Sequence, residues 1–197
     1  MIFSRKKTEA KNINQADIGV LYDRHAPWLF AVCLRYLGNR QDAEDVLHDG
    51  FMKIIRTIEG FEEKKTGSLE AWMRRIMVNT ALNHIRDHGK EKMFTGLDNA
   101  LNSERTEDEN EEDKNFSSPD LTKDQLMEMI CELPAGYRLV FNLYVMENYS
   151  HKEIAELLNC SENTSKSQLF KARSFLKKRL FEYQNKVNYE QTVTSRR

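Results

Sequence analysis

Apolar residues recur along most of the chain at the three- and four-residue spacing of amphipathic helices. Before residue 90, local signals mark where these helices should begin and end. Pro27 suits the first turn of a helix, and Asn39 and Ser68 are suited to N-cap positions. Gly60 and Gly67 enclose a loop. The pattern predicts four helices, at residues 15–25, 27–37, 40–58 and 69–89.

The same periodicity returns after residue 120 and predicts helices at 121–132, 135–147, 151–158 and 162–183. Ser150 and Glu153 have the spacing of a capping box, which predicts the start of a short helix. Asn159 tolerates the left-handed conformation of a tight turn, and Ser161 can cap the next helix. A short helix, a tight turn and a longer helix together predict a helix-turn-helix.

An acidic segment separates the two helical parts. Residues 103–117 contain seven acids and two bases, and a Ser-Ser-Pro sequence follows. This composition is typical of a disordered linker, whose simplest role is that of a tether. The sequence therefore predicts an all-α protein of two small domains. Its expected limits are a flexible leader at 1–14, domains at 15–92 and 121–183, a linker at 93–120 and a flexible tail at 184–197.

The composition fits this fold and narrows the function. Only 8 Gly and 3 Pro occur among 197 residues, as expected for a helical protein. The three cysteines are widely spaced, and no apolar run reaches the length of a membrane span, so we expect a cytoplasmic protein without membrane insertion. His84 and His88 stand four residues apart, but no third metal ligand follows. We expect no catalytic residue, cofactor or metal, and no enzyme activity.

Positive charge is concentrated at residues 165–179, which contain six cations and no acid although the formal net charge of the chain is -1. On a helical wheel, Leu169, Ala172, Leu176 and Leu180 form the inward face. The outward face contains Lys166, Ser167, Phe170, Lys171, Ser174, Lys177 and Lys178. Cations without nearby acids suit phosphates, and an outward aromatic suits a base, a thymine methyl or a protein partner. A solvated basic face is the alternative.

Two further polar surfaces are predicted in the first domain. Arg75, Asn79, Asn83 and Arg86 form a polar stripe with Trp72 at its margin; such side chains can bind phosphates and bases. Trp72 taken alone is more typical of a core. Asp42, Asp45 and Asp49 form an acidic face on the preceding helix. Such a face repels DNA and favours a basic protein partner, although acids near a helix N-terminus can simply stabilise the helix.

Three segments, taken together, resemble the bacterial extracytoplasmic-function (ECF) sigma factors of RNA polymerase. They are LYDRHAPWLFAVCLRYLGNRQDAEDVLHDGFMKII, AWMRRIMVNTALNHIRD and LPAGYRLVFNLYVMENYSHKEIAELLNCSENTSKSQLFKAR. The resemblance implies a sigma factor that binds core RNA polymerase and directs initiation at promoters with −10 and −35 elements, aiding strand opening. Its two domains would be region 2 and region 4. Ser165 departs from the family, which usually has Val there. The alternative is a two-domain helix-turn-helix regulator that never joins polymerase.

The resemblance also implies roles for the predicted surfaces. The acidic face would dock on the clamp helices of the polymerase β′ subunit, and an apolar surface of region 4 would hold the flap of the β subunit. The −10 element would contact Phe61, Trp72, Arg75, Asn79, Asn83 and Arg86, with one base captured outside the stack. The −35 element would contact Lys166, Ser167, Phe170, Lys171, Lys177 and Lys178. An anti-sigma factor is a further expected partner.

Overall fold

The structure is a computed structural model that describes residues 15–62, 65–88 and 121–194, and within these ranges every regular element is helical. The predicted all-α fold is therefore confirmed. The chain divides into two compact units, residues 1–90 and 91–197. The predicted leader and linker lie outside the described residues, so the domain limits given above stay predictions.

Three helices form the described part of the N-terminal unit: α1 at Gln15–Leu37, α2 at Arg40–Thr57 and α3 at Ser68–Asp87. A short 3-10 turn, Ile58–Gly60, follows α2. Six apolar residues that recur at helical spacing along α2 and into this turn are buried, namely Ala43, Val46, Leu47, Phe51, Ile54 and Ile58. Helical periodicity alone therefore identified the face of α2 that packs against its neighbours.

The prediction of two short helices separated at Pro27 was wrong, because α1 is continuous and contains Pro27. A proline inside a helix loses one backbone hydrogen bond and costs about 3 kcal/mol. Pro27 is exposed, whereas Ala26 and Leu29 on either side of it are buried. Because the apolar face packs on both sides of the proline, α1 remains a continuous helix.

The two N-cap predictions for this unit have different outcomes. Asn39 caps α2 as predicted, since its side-chain oxygen accepts a hydrogen bond of 2.9 Å from the backbone N–H of Asp42. The prediction for Ser68 was wrong: Gly67 is the N-cap of α3, with φ at 81°, and Ser68 is the first helical residue. Glycine adopts this left-handed conformation without the steric cost of a side chain.

Four helices form the described part of the C-terminal unit. They are α4 at Lys123–Glu132, α5 at Ala135–Phe141, α6 at His151–Leu158 and α7 at Glu162–Thr194, with a π-helical turn, Asn142–Met146, directly after α5. Met129 and Leu133 pack with Ala172 and Leu176, so α4 and α7 share a core. The buried Arg138 donates to the backbone carbonyls of Cys131 and Leu133, both at 2.8 Å, and so satisfies acceptors at the end of α4.

The predicted end of the last helix at residue 183 was wrong, because α7 continues to Thr194. The predicted tail is therefore helical over most of its length. Two contacts hold α7 beside α4 near residue 183: Gln125 donates to the Tyr183 hydroxyl at 2.7 Å, and Arg179 forms an ion pair with Glu132. No Gly or Pro occurs between 184 and 194, so no local signal ends the helix there.

Helices α2 and α3 approach each other closely at Gly50. A Cβ placed on Gly50 would overlap the sulfur of Met77 and lie 2.9 Å from its Cε. Met77 is fully buried, and its sulfur also lies 3.9 Å from the Cys33 sulfur of α1. The three helices of the unit therefore meet at a point where little volume can be added.

This contact predicts that Gly50→Ala destabilises the N-terminal unit. Overpacking of a dense core typically costs about 1 to 3 kcal/mol, which is reduced by the roughly 0.5 to 1 kcal/mol that a Gly→Ala change in a helix contributes. The free energy of unfolding is to be measured in urea by tryptophan fluorescence, because both tryptophans, Trp28 and Trp72, belong to this unit.

The matched control is Gly19→Ala in α1, where nothing lies within 4 Å of an added Cβ. An exposed helical Gly→Ala change should raise the free energy of unfolding by about 0.5 to 1 kcal/mol. If both substitutions stabilised the unit equally, the close approach at Gly50 would not constrain the packing.

Candidate nucleic-acid interface

The three aspartates of the acidic face differ in their surroundings. Asp45 and Asp49 are exposed on α2, as predicted. Asp42 is half-buried: its carboxylate accepts a hydrogen bond of 2.8 Å from the Asn39 side chain and lies 3.8 Å from Nε2 of His84 on α3. Asp42 therefore helps to hold α2 against α3, and Asp45 and Asp49 are the acids of this face that are exposed at the surface.

An exposed methionine extends the acidic face. Met52 follows Asp45 by seven residues and Asp49 by three, so it lies on the same side of α2, where 38% of it is exposed. Met52 was not predicted from the sequence, because a methionine in an amphipathic helix is usually a core residue. A partner that binds the acidic face would also meet this apolar side chain.

A cavity lies where the loop after α2 meets the start of α3. The rings of Phe61 and Trp72 are 5.0 Å apart between centroids and inclined at 35°. They line an open cavity of about 800 Å³ with Thr57, Gly60, Glu62, Lys65 and Ser68. The Ser68 hydroxyl is buried and has no hydrogen-bond partner among the described residues. An open cavity with an aromatic wall and a few polar groups can hold a planar ring.

The polar stripe continues along α3 from this cavity. Arg75, Asn79, Asn83 and Arg86 are all exposed, as predicted, and Arg86 donates a hydrogen bond of 2.7 Å to the Asn83 side chain. From Trp72 to Arg86 the stripe is about 21 Å long at 1.5 Å per residue. A strand of nucleic acid could therefore follow the helix with its phosphates or bases on these side chains.

The inward and outward faces predicted for α7 are present. Leu169, Ala172 and Leu176 are buried, and Leu180 is half-buried. On the outward face Lys166, Ser174, Lys177 and Lys178 are exposed, Ser167 and Lys171 are half-buried, and Phe170 is 49% exposed. An aromatic ring is therefore presented among cations at the surface of the helix.

The six cations of residues 165–179 divide into two groups. Two arginines contact groups within their own unit: Arg179 pairs with Glu132 and Glu182, and the Arg173 guanidinium lies 6.0 Å from the ring centre of Tyr144. The four lysines are those that the sequence analysis assigned to DNA. The arginines thus stabilise the unit, and the lysines dominate the charge of the outward face.

The turn before α7 has the predicted local structure. Ser150 and Glu153 form a capping box at the start of α6, and the hydrogen bonds donated by Ser150 hold the pKa of Glu153 below its usual value. Asn159 has a φ of 51°, in the left-handed region. The Ser161 side chain accepts a hydrogen bond of 3.0 Å from the backbone N–H of Thr164. These three features confirm the helix-turn-helix.

Ser165 makes a contact that was not predicted from the sequence. This residue is fully buried in the first turn of α7, and its Oγ forms a hydrogen bond of 2.9 Å with Nδ1 of His151 on α6. The two residues are 14 positions apart, so no helical spacing connects them. Packing at this turn therefore includes a buried polar contact at the position where the family usually has valine.

Two family models match the chain, and their matches fall in the two compact units. Sigma-70 region 2 matches residues 21–91, and sigma-70 region 4 matches residues 123–176. Together these matches span more than half of the chain. The described residues contain no helix long and apolar enough to cross a membrane.

Several relatives match over nearly the whole chain. The ECF RNA polymerase sigma-E factor of Haemophilus influenzae is 25% identical over 86% of this chain and 92% of its own length. The ECF RNA polymerase sigma factor SigW of Bacillus subtilis is 25% identical over 91% of this chain and 97% of its own. The RNA polymerase sigma-H factor of Pseudomonas aeruginosa is 27% identical over 83% of this chain and 85% of its own length.

A solved structure, the sigma factor RpoE of Bartonella quintana in complex with the anti-sigma factor NepR, aligns with a TM-score of 0.45 and 22% identity. That alignment covers 84% of this chain and 97% of the other. Region 2 and region 4 follow each other here in the order that the resemblance implies. The chain belongs to the extracytoplasmic-function (ECF) sigma factors of RNA polymerase.

Proposed function

We propose that this sigma factor divides its work among three helices: α2 docks on core polymerase, α3 binds the −10 element, and α7 binds the −35 element. As a sigma factor, the chain binds core RNA polymerase and directs initiation at promoters. The observation that carries the assignment is the surface of α7. After a helix-turn-helix turn, four lysines and Phe170 form an outward face without an acid between residues 165 and 179.

Docking is assigned to Asp45 and Asp49. Both carboxylates are exposed, and a basic partner surface would gain electrostatic attraction from them while Met52 supplies an apolar contact. Asp42 is assigned a supporting role, because its carboxylate already contacts Asn39 and His84. By family resemblance, the partner surface is the clamp helices of the β′ subunit.

Recognition of the −10 element is assigned to the Phe61 and Trp72 cavity together with the polar stripe. Taking a base out of the stack costs a few kcal/mol, which aromatic stacking and hydrogen bonds to the base edge can offset. The rings of Phe61 and Trp72 offer stacking surfaces, and the exposed side chains of Arg75 and Asn79 lie further along α3. Asn83 and Arg86, joined by a hydrogen bond, extend the surface for phosphates.

Recognition of the −35 element is assigned to α7 with its N-terminal end in the major groove. Lys166, Ser167, Phe170 and Lys171 lie in the first three turns of the helix, from which helix-turn-helix proteins contact base edges. Lys177 and Lys178 lie further along the helix and are assigned to phosphates.

The remaining partners are proposed from the resemblance. The β flap would bind apolar surface of region 4, where Val145 and Leu157 are each 45% exposed. An anti-sigma factor stays a prediction. A cytoplasmic location is proposed because promoter DNA and polymerase are there.

A run-off transcription assay with core polymerase tests the proposed function. The holoenzyme should produce a transcript from a promoter selected for this protein, and core polymerase alone should not. A helix-turn-helix regulator that never joins polymerase would bind the same DNA without supporting the transcript.

The docking assignment predicts that Asp45→Lys weakens binding to core polymerase and leaves the free energy of unfolding nearly unchanged. Asp45 is exposed, so the reversed charge opens no cavity and changes only the partner interaction. Affinity is to be measured without DNA, for example by fluorescence anisotropy. Glu128→Lys makes the same charge change at an exposed position of α4 and is the control. Equal affinity of the two variants would contradict the assignment.

The −10 assignment predicts that Asn79→Ala impairs strand opening more than closed-complex binding. Loss of an edge hydrogen bond affects only a base that has left the duplex. Permanganate reactivity of −10 thymines measures opening, and footprinting measures the closed complex. Asn185→Ala, an exposed asparagine outside the proposed interfaces, is the control. Equal reactivity of Asn79→Ala and wild type would remove Asn79 from the site.

The −35 assignment predicts different effects of two lysines on one helix. Lys166→Ala should cost roughly 1 to 3 kcal/mol on the cognate element and much less on a scrambled one, because it removes a base contact. Lys178→Ala should weaken both duplexes equally and reduce the salt slope by about 1, because it removes a phosphate contact. Holoenzyme affinity across a salt series measures both. Identical behaviour of the two variants would make α7 an electrostatic anchor only.

A further inference from the structure

The contacts that join α7 to the two elements directly before it include a hydrogen bond and a contact between a cation and an aromatic ring. The first is the hydrogen bond of 2.9 Å between Ser165 and His151. The second places Arg173, eight residues along α7, 6.0 Å from the ring centre of Tyr144. Tyr144 belongs to the π-helical turn and His151 begins α6. The π-helical turn, α6 and α7 are therefore joined through one aromatic pair.

Besides its hydrogen bond to Ser165, the His151 ring contacts the ring of Tyr144. It stacks on Tyr144 with 4.5 Å between ring centroids and 22° between ring planes. With its ring plane set by Tyr144 and its Nδ1 directed to Ser165, the imidazole has little freedom to turn. The buried hydroxyl of Ser165 is satisfied by this ring.

The charges around His151 favour its neutral form. Burial, followed by Lys166 and Arg173, lowers the pKa of His151 from its usual value, while Glu162 acts in the opposite direction. A neutral ring joins α6 to α7 without adding a third cation beside Lys166 and Arg173.

We infer that His151 is a positioning residue for −35 recognition, which fixes the first turn of α7 through Ser165 so that Lys166 and Ser167 meet their bases. The inference rests on the proposed function of α7. Lys166 follows Ser165 directly, so a small rotation of this turn changes where its side chain reaches. A base contact needs donor and acceptor within about 0.3 Å of their optimum, whereas a phosphate contact tolerates more.

The test compares three substitutions of His151 in the complete holoenzyme. The amide of His151→Asn occupies about the position of Nδ1 and can keep the bond to Ser165; the amide of His151→Gln is closer to the position of Nε2. His151→Ala removes the ring. Each holoenzyme is titrated with the matched −35 duplex and with duplexes substituted at single base pairs, across a salt series.

Alanine and glutamine at position 151 should lower the matched-to-substituted affinity ratio about two- to tenfold, the range expected for one hydrogen bond. Asparagine at position 151 should keep most of the wild-type affinity ratio. The loss should be greatest at the base pairs that also respond to Lys166→Ala, and the salt slope should not change. Ser165→Ala, combined with His151→Ala, should add little to either single change, because both remove the same bond.

A matched control separates positioning from stability. Thr122→Ala removes the side-chain oxygen that caps α4 in the same unit. The start of α4 reaches α7 only through Gln125 and Tyr183 among the contacts described above, 18 residues beyond Ser165. Urea unfolding followed by circular dichroism shows how far each variant is destabilised. If Thr122→Ala, at comparable destabilisation, lowered the affinity ratio as much as His151→Ala, the inference would be overturned.

Two other outcomes are also decisive. An unchanged affinity ratio with a reduced salt slope would mean that His151 contacts a phosphate, which overturns the inference and leaves the proposed function intact. If the wild-type holoenzyme did not distinguish matched from substituted duplexes, the −35 role of α7 would fail, and the inference with it.

Discussion

Burial of one apolar face of each helix determines where the side chains proposed to bind polymerase and DNA point. On α2, Val46 and Leu47 are buried, and the neighbouring Asp45 and Asp49 face outward as a consequence. On α3, Met77 is buried, and Asn79, two residues further along the helix, faces outward for the same reason. A docking or recognition residue therefore needs little local support, because the core on the opposite side of its helix sets its direction.

Close contacts refine the positions that burial sets. Gly50 lets α2 approach α3 at Met77, so the helix with the acidic face and the helix with the polar stripe are fixed relative to each other. In the C-terminal unit, Arg138 donates to backbone carbonyls at the end of α4. The hydrogen bond between His151 and Ser165 joins the start of α7 to α6. These contacts lie inside the two units, and they set the positions of the helices that carry the surfaces proposed to bind polymerase and DNA.

Periodicity and turn chemistry predicted most of the fold because both act over a few residues. The exposure of Lys166 and Asn79 follows from helical spacing, and the left-handed turn at Asn159 from its local preference. Contacts between distant residues could not be predicted in this way. The continuity of α1 through Pro27 depends on packing against other helices, and the bond between His151 and Ser165 joins residues 14 positions apart. The cavity wall of Phe61 and Trp72 likewise depends on the path of a loop.

The length of the basic face of α7 limits how much promoter sequence its proposed −35 contacts can distinguish. Lys166 and Lys178 are separated by about 18 Å along the helix axis. Duplex DNA rises about 3.4 Å per base pair, so this face spans at most about five base pairs, half a helical turn. At roughly 1 to 3 kcal/mol for each good base contact, so short a site cannot by itself distinguish one promoter among the many similar sequences of a genome. Promoter choice must then come from two short sites recognised together, which makes the distance between them on the DNA part of the recognised signal.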